Sequence, residues 1–138
     1  MKGYRKLLIA VNGSNDVLKY GIKLAKDEGC WVTILKIIPP YDGDLHLTGI
    51  KNVSDVINSN VKIFFNEVKD VAESERALVK IKVQEGDIEE KILEAAVEEN
   101  VDLIILQAEK TNPIKKFFGK DLISKIINQA PCPVLVVR

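Results

Sequence analysis

Lys110, Lys115, Lys116 and Lys120 crowd one short polar stretch near the end of the chain, with Glu109 and Asp121 among them. Ammonium groups so gathered attract phosphate, whereas a carboxylate beside them repels it. Anion binding is therefore the first chemistry to weigh, against the plainer reading of a solvated loop. Other reactive side chains are sparse. His46 is the single histidine, with no second ligand type near it in sequence. Cys30 and Cys132 fit no CxxC and no metal-ligand spacing. Asp87, Glu89 and Glu90 form a carboxylate group, but Asp with Glu at the third position after it is a capping box, which helix formation explains without catalysis. Ser14 and Ser124 lack a neighbouring base and read as a cap and a helix-surface residue. No nucleophile–base arrangement and no metal cluster is legible, so an enzyme is not expected; a slow ATPase would first require nucleotide binding.

The elements that must position these groups alternate. Continuous apolar or β-branched runs at Leu7–Val11, Trp31–Ile38, Leu78–Val83, Val101–Leu106 and Val134–Val137 read as strands. Between them lie helical patterns. Val17, Leu18, Gly21, Ile22, Leu24 and Ala25 share one helix face, and Gly29 closes that helix. Ser54 opens a helix running to about Glu75, with Val56, Ile57, Val61, Phe64, Phe65, Val68 and Val71 as its apolar stripe. Asp87 caps a third, in which Ile88, Ile92, Leu93, Ala96 and Val97 face the sheet. A fourth covers Lys120–Gln129, with Leu122, Ile123, Ile126 and Ile127 inward, and Pro131 and Pro133 stop it. Residues 39–53 form a long loop rich in Pro, Gly and Asp. Lys80 and Lys82 alternate with apolar residues, so the third strand has a solvated face or lies at an edge. Strictly alternating strands and helices predict an α/β sandwich on a parallel sheet. Ligands of such sheets sit beyond the strands' carboxyl ends, where strand order reverses.

The chain has 138 residues, the size of one ordinary domain, and no internal repeat marks a second. With 46% hydrophobic and 29% charged residues it has a globular composition that needs no metal or disulfide to fold. Twenty basic residues balance twenty acidic ones, which removes any global pull toward nucleic acid or anionic membrane. No stacking motif for nucleic acid appears. The basic start, Met1–Arg5, precedes an apolar run too short for a signal peptide, and no stretch nears the ~18 residues of a membrane span. A cytoplasmic protein with reduced cysteines is expected.

Three segments carry a resemblance. The turn Ala10-Val11-Asn12-Gly13-Ser14 resembles the VDGS turn of the universal stress protein (UspA) family. VDLIIL at Val101–Leu106 is similar to that family's fourth strand, and APCPVLVV at Ala130–Val137 is similar to its closing motif almost letter for letter. The likeness spans the chain apart from the loop after the second strand. It implies a single universal stress protein domain over 1–138: a three-layer α/β sandwich, Rossmann-like and adenine nucleotide alpha hydrolase-like, with a five-stranded parallel sheet of order 3-2-1-4-5. Asn12 and Gln107 would flank its switch point. It also implies a homodimer paired through the last strand, at Val134 and Val136, and a stress-response role exercised through a protein partner as yet unnamed.

One branch of that family holds ATP through G-x-x-G-x9-G-[ST] after strand four; another lacks the motif and does not hold ATP stably. Counted back from the proline motif without gaps, the four positions are Gln107, Lys110, Lys120 and Asp121. None matches. Gly119 lies one residue early, and the ungapped register is preferred because it keeps Leu122, Ile126 and Ile127 on the buried face. The family's ATP-site positions would then be Ala10, Val11, Asn12, Gly13, Ile37, Leu106, Gln107, Lys110, Gly119, Lys120 and Asp121. Glycines let amides approach phosphate closely; side chains at Gln107 and Lys110 fill that space. Asp121 opposes phosphate by about 1–4 kcal/mol at ~4 Å, which is about one to three decades of affinity, and it can serve the helix N-terminus itself. Asn12 stands where ATP-binding members carry Asp. No cofactor is expected, and the alternative is an ATP or adenine-nucleotide switch with altered phosphate chemistry.

Overall fold

A computed structural model describes residues 5–11, 16–38, 53–107 and 120–137. Within these lie β1 (Lys6–Val11), α1 (Asp16–Glu28), β2 (Trp31–Ile38), α2 (Val53–Glu75), β3 (Val79–Glu85), α3 (Ile88–Glu98), β4 (Leu103–Gln107), α4 (Lys120–Gln129) and β5 (Val134–Val137). All pairings are parallel, in the order β3-β2-β1-β4-β5. This is the sheet the resemblance implies.

The alternation of side chains along each strand builds two cores. Leu7, Ile9, Val32, Ile34, Leu103 and Ile105 join Val17, Ile22, Phe64 and Val68 of α1 and α2 on one face. Leu8, Ala10, Leu35, Ile104 and Leu106 join Ile92, Ala95, Ala96 and Ile126 of α3 and α4 on the other. Apart from Lys6, Thr33, Lys36 and Gln107 the three central strands are apolar, because both faces are covered. Gly21 lets α1 approach closely: a methyl there would run into the buried side chain of Ile9 and come to 3.5 Å from Ile105 Cδ1.

Three helices end the same way. After α1, Gly29 (φ 68°) donates to Lys26 O and Cys30 donates to Ala25 O. Arg76 (φ 54°) with Ala77 repeats this after α2, and Asn100 (φ 52°) with Val101 after α3. This left-handed closure satisfies the last carbonyls of each helix. Glycine announces only the first. α3 begins as expected, with the Asp87 carboxylate accepting from Glu90 N at 3.0 Å.

Several expectations need correction. Phe65 is 41% exposed, Val97 64% and Ile127 51%. Each follows a buried neighbour (Phe64, Ala96, Ile126), and one helical step of about 100° turns it off the core face. Ala95 takes the buried place given to Val97. β3 begins after Leu78 and runs on to Glu85, because β2 stays paired with it to Ile38. β4 begins at Leu103, Asp102 being turned to the backbone of Arg5 and Lys6. α2 begins at Val53, placing Ser54 inside its first turn. β3 is an edge strand, as the alternation implied, but its lysines are tied down: Lys80 bridges Glu99 at 2.8 Å and Lys82 bridges Glu98 at 2.5 Å. The Ser14 cap, His46 and the loop at 39–52 lie outside the described residues.

Candidate site at the switch point

Strand order reverses between β1 and β4. Their ladder runs from Leu7–Leu103 to Ile9–Ile105 and stops there. β1 stays paired with β2 up to Val11–Lys36, and β4 with β5 up to Gln107–Val137. The sheet therefore parts at its upper end, between Ala10–Val11 on one side and Leu106–Gln107 on the other. A parting of this kind is where doubly wound sheets take ligands.

Ala10, Val11 and Leu106 are buried where the strands part. Ile37, half-buried, lies one step beyond the β2 residue paired with Val11. By strand alternation Lys36, Val11 and Gln107 form a row on the α1/α2 side of the upper rim. Gln107 is half-buried, and its Oε1 is buried with no hydrogen-bond partner among the described residues. Lys36 holds its ammonium 5.1 Å from the centre of the Phe64 ring, a cation–π contact. Asp121 is exposed in the first turn of α4, where the helix dipole favours a carboxylate. Lys120 opens the same helix. Asn12, Gly13, Lys110 and Gly119 lie outside the described residues, as do Lys115 and Lys116. Of the proposed positions, the structure thus groups Ala10, Val11, Ile37, Leu106 and Gln107.

Two details of this end of the sheet are not legible in the sequence. Lys36 is one cation inside the apolar run of β2, and that isolation was the available signal. Gln107 was placed at the crevice, but its orphaned oxygen depends on packing no sequence displays. At the opposite end, the Asp102 carboxylate accepts from Arg5 N at 2.8 Å and Lys6 N at 3.0 Å. Those two amides hold its carboxyl below the usual range. Burial pushes the thiols of Cys30 and Cys132 up, so neither is primed as a nucleophile. Among the described residues no group of three or more His, Cys, Asp or Glu could hold a metal, and no helix is long and apolar enough to cross a membrane.

Comparison with known proteins places this geometry. A match to the universal stress protein family runs over residues 3–138. No curated protein matches the chain. Among solved structures, universal stress protein UspA from Lactobacillus plantarum superposes with a TM-score of 0.78 at 21% identity, covering 98% of each chain. A universal stress protein in complex with cAMP gives 0.73 at 14% identity, covering 99% of this chain and 98% of the other. The universal stress protein from Archaeoglobus fulgidus in complex with dAMP gives 0.68 at 18% identity, covering 99% of each. Such identities establish a shared fold, and the family match over nearly the whole length goes further: the chain belongs to the universal stress protein family.

Proposed function

We propose that this protein is a dimeric stress-response regulator whose crevice has lost the means to hold a triphosphate. The observation that carries the reading is Gln107. At the crevice rim, in the place of the first glycine of the family's ATP motif, it sets a half-buried side chain. The space a bare backbone would offer to phosphate oxygens is occupied. Asp121, exposed at the start of α4, adds a negative charge at the helix end that would otherwise receive the anion. Regulation would then run through protein contacts. The self-contact is β5, a sheet edge of four consecutive half-buried apolar residues, with Val134 and Val136 central to it. A flat apolar edge of this kind is a poor surface to leave in water.

One observation favours a second reading, an adenine-nucleotide switch. Gln107 Oε1 has no donor among the described residues, and the amino or hydroxyl groups of a nucleoside are donors. Two structural relatives are described in complex with cAMP and dAMP.

The readings separate on protein purified without added nucleotide. Denatured, it should release no adenine absorbance, and ATP-Mg titrated into it should bind more weakly than about 10 μM. Sedimentation should show a dimer that Val136→Lys dissociates. Tight ATP binding would overturn the first reading, and a monomer would remove its self-contact.

A further inference from the structure

We infer that the outer edge of β3 is a docking site for an extended, acidic segment of a partner protein, added as a sixth strand. Among the described residues β3 ends the sheet on this side, at the opposite edge from β5. Val32 N donates to Leu78 O at 3.1 Å. In a parallel ladder, alternate residues bond to one neighbour. Leu78, Lys80 and Lys82 therefore turn their amides and carbonyls toward β2, while Val79, Ile81 and Val83 turn theirs outward. Edge lysines ordinarily guard such a row. Here Lys80 and Lys82 are drawn to Glu99 and Glu98 at the end of α3, so the α2 side of β3 presents Val79, Ile81 and Val83 and no lysine of the strand.

That α2 side is a groove. α2 does not fully cover β3, and a cavity of about 440 Å³ lies between them, floored by Val68, Ala72, Val79 and Ile81 with Phe65 on its rim. Phe65, 41% exposed, is the aromatic expected in the core that the helix instead turns toward this groove. Outward main-chain groups beside apolar sockets are the two requirements for strand addition: the backbone supplies affinity and alternate side chains fill the sockets. Charge selects the occupant. Lys69 and Arg76 line the groove, with Glu73 between them, so the lining is net positive. An incoming strand with alternating apolar residues and at least one Asp or Glu fits both features; a basic one does not.

The inference is independent of the crevice. Its test is a random twelve-residue peptide library displayed on phage and panned against the full-length protein, with enriched peptides titrated by fluorescence anisotropy. The expected consensus alternates apolar residues and includes acids. Val79→Pro removes an outward amide at the first position of an edge strand, where proline is tolerated. It should melt near the parent protein yet lose peptide binding at least tenfold. Lys69→Glu with Arg76→Glu, both exposed, should weaken binding about tenfold and keeps the test open if the proline variant misfolds. No acidic alternating consensus, or affinities unchanged in the charge-reversed variant, would overturn the inference. Self-association of the protein through β3, abolished by Val79→Pro, would overturn it in favour of a second copy.

Discussion

At the lower end of the sheet, Asp102 receives two main-chain amides from β1 and its neighbour, and α1, α2 and α3 all close their last carbonyls through left-handed residues. At the upper end of β4, Gln107 carries a buried oxygen with no donor among the described residues, and the β1–β4 ladder has already stopped. The lower end satisfies its polar groups and joins the strands. The upper end leaves a polar atom wanting and parts them. The lower end contributes stability; the upper end carries an acceptor that no described residue satisfies.

The contrast can be broken by substitution. Asp102→Ala should have the largest effect, a loss of about 0.5–1.5 kcal/mol in denaturant unfolding, since two solvent-exposed amides lose a charged acceptor and turn to water. An unchanged midpoint would remove the lower end's claim. Acid should act on the same group. Asp102 has its folded pKa lowered by the Arg5 and Lys6 amides, and Glu99 has its own lowered by Lys80. A depressed carboxylate stabilises fully above its unfolded value, about 3.9 for Asp, and loses that contribution as pH falls through the folded value. Melts taken from pH 7 to pH 2 should steepen below about pH 4, and Asp102→Asn should flatten part of that fall. At the upper end the sign differs. Gln107→Leu removes the orphaned acceptor and should be neutral or raise stability by up to ~1 kcal/mol. A clear loss would mean that Gln107 has a donor. The smallest effect belongs to Arg76, held at φ 54°. Arg76→Gly relieves that conformation and should gain roughly 0.5 kcal/mol by the same melts.

The architecture was legible in the sequence because apolar runs and helical spacing report burial, and burial dictates a parallel sheet covered on both faces. Helix α4 and strands β2 and β5 fall where their patterns put them. Phe65, Val97 and Ile127 were misplaced for a common reason: adjacent apolar residues share a hydropathy, yet one helical step moves the second off the buried face. Arg76 and Asn100 were unreadable as helix closures, since tertiary context, not residue type alone, holds them left-handed. In the crevice, side-chain identity was visible and environment was not. Gln107 is reached in the sequence by counting the family's motif back from the proline motif, whereas the lack of a donor to its oxygen among the described residues depends on packing.

Rebuilding the cradle tests the central claim most directly. In Gln107→Gly, Lys110→Gly, Lys120→Gly, Asp121→Ser, titration calorimetry with ATP-Mg should show affinity one to three decades above the parent protein, about 1.4–4 kcal/mol. Equal affinity in parent and variant, or tighter binding by the parent, would contradict a crevice closed to triphosphate by its own side chains.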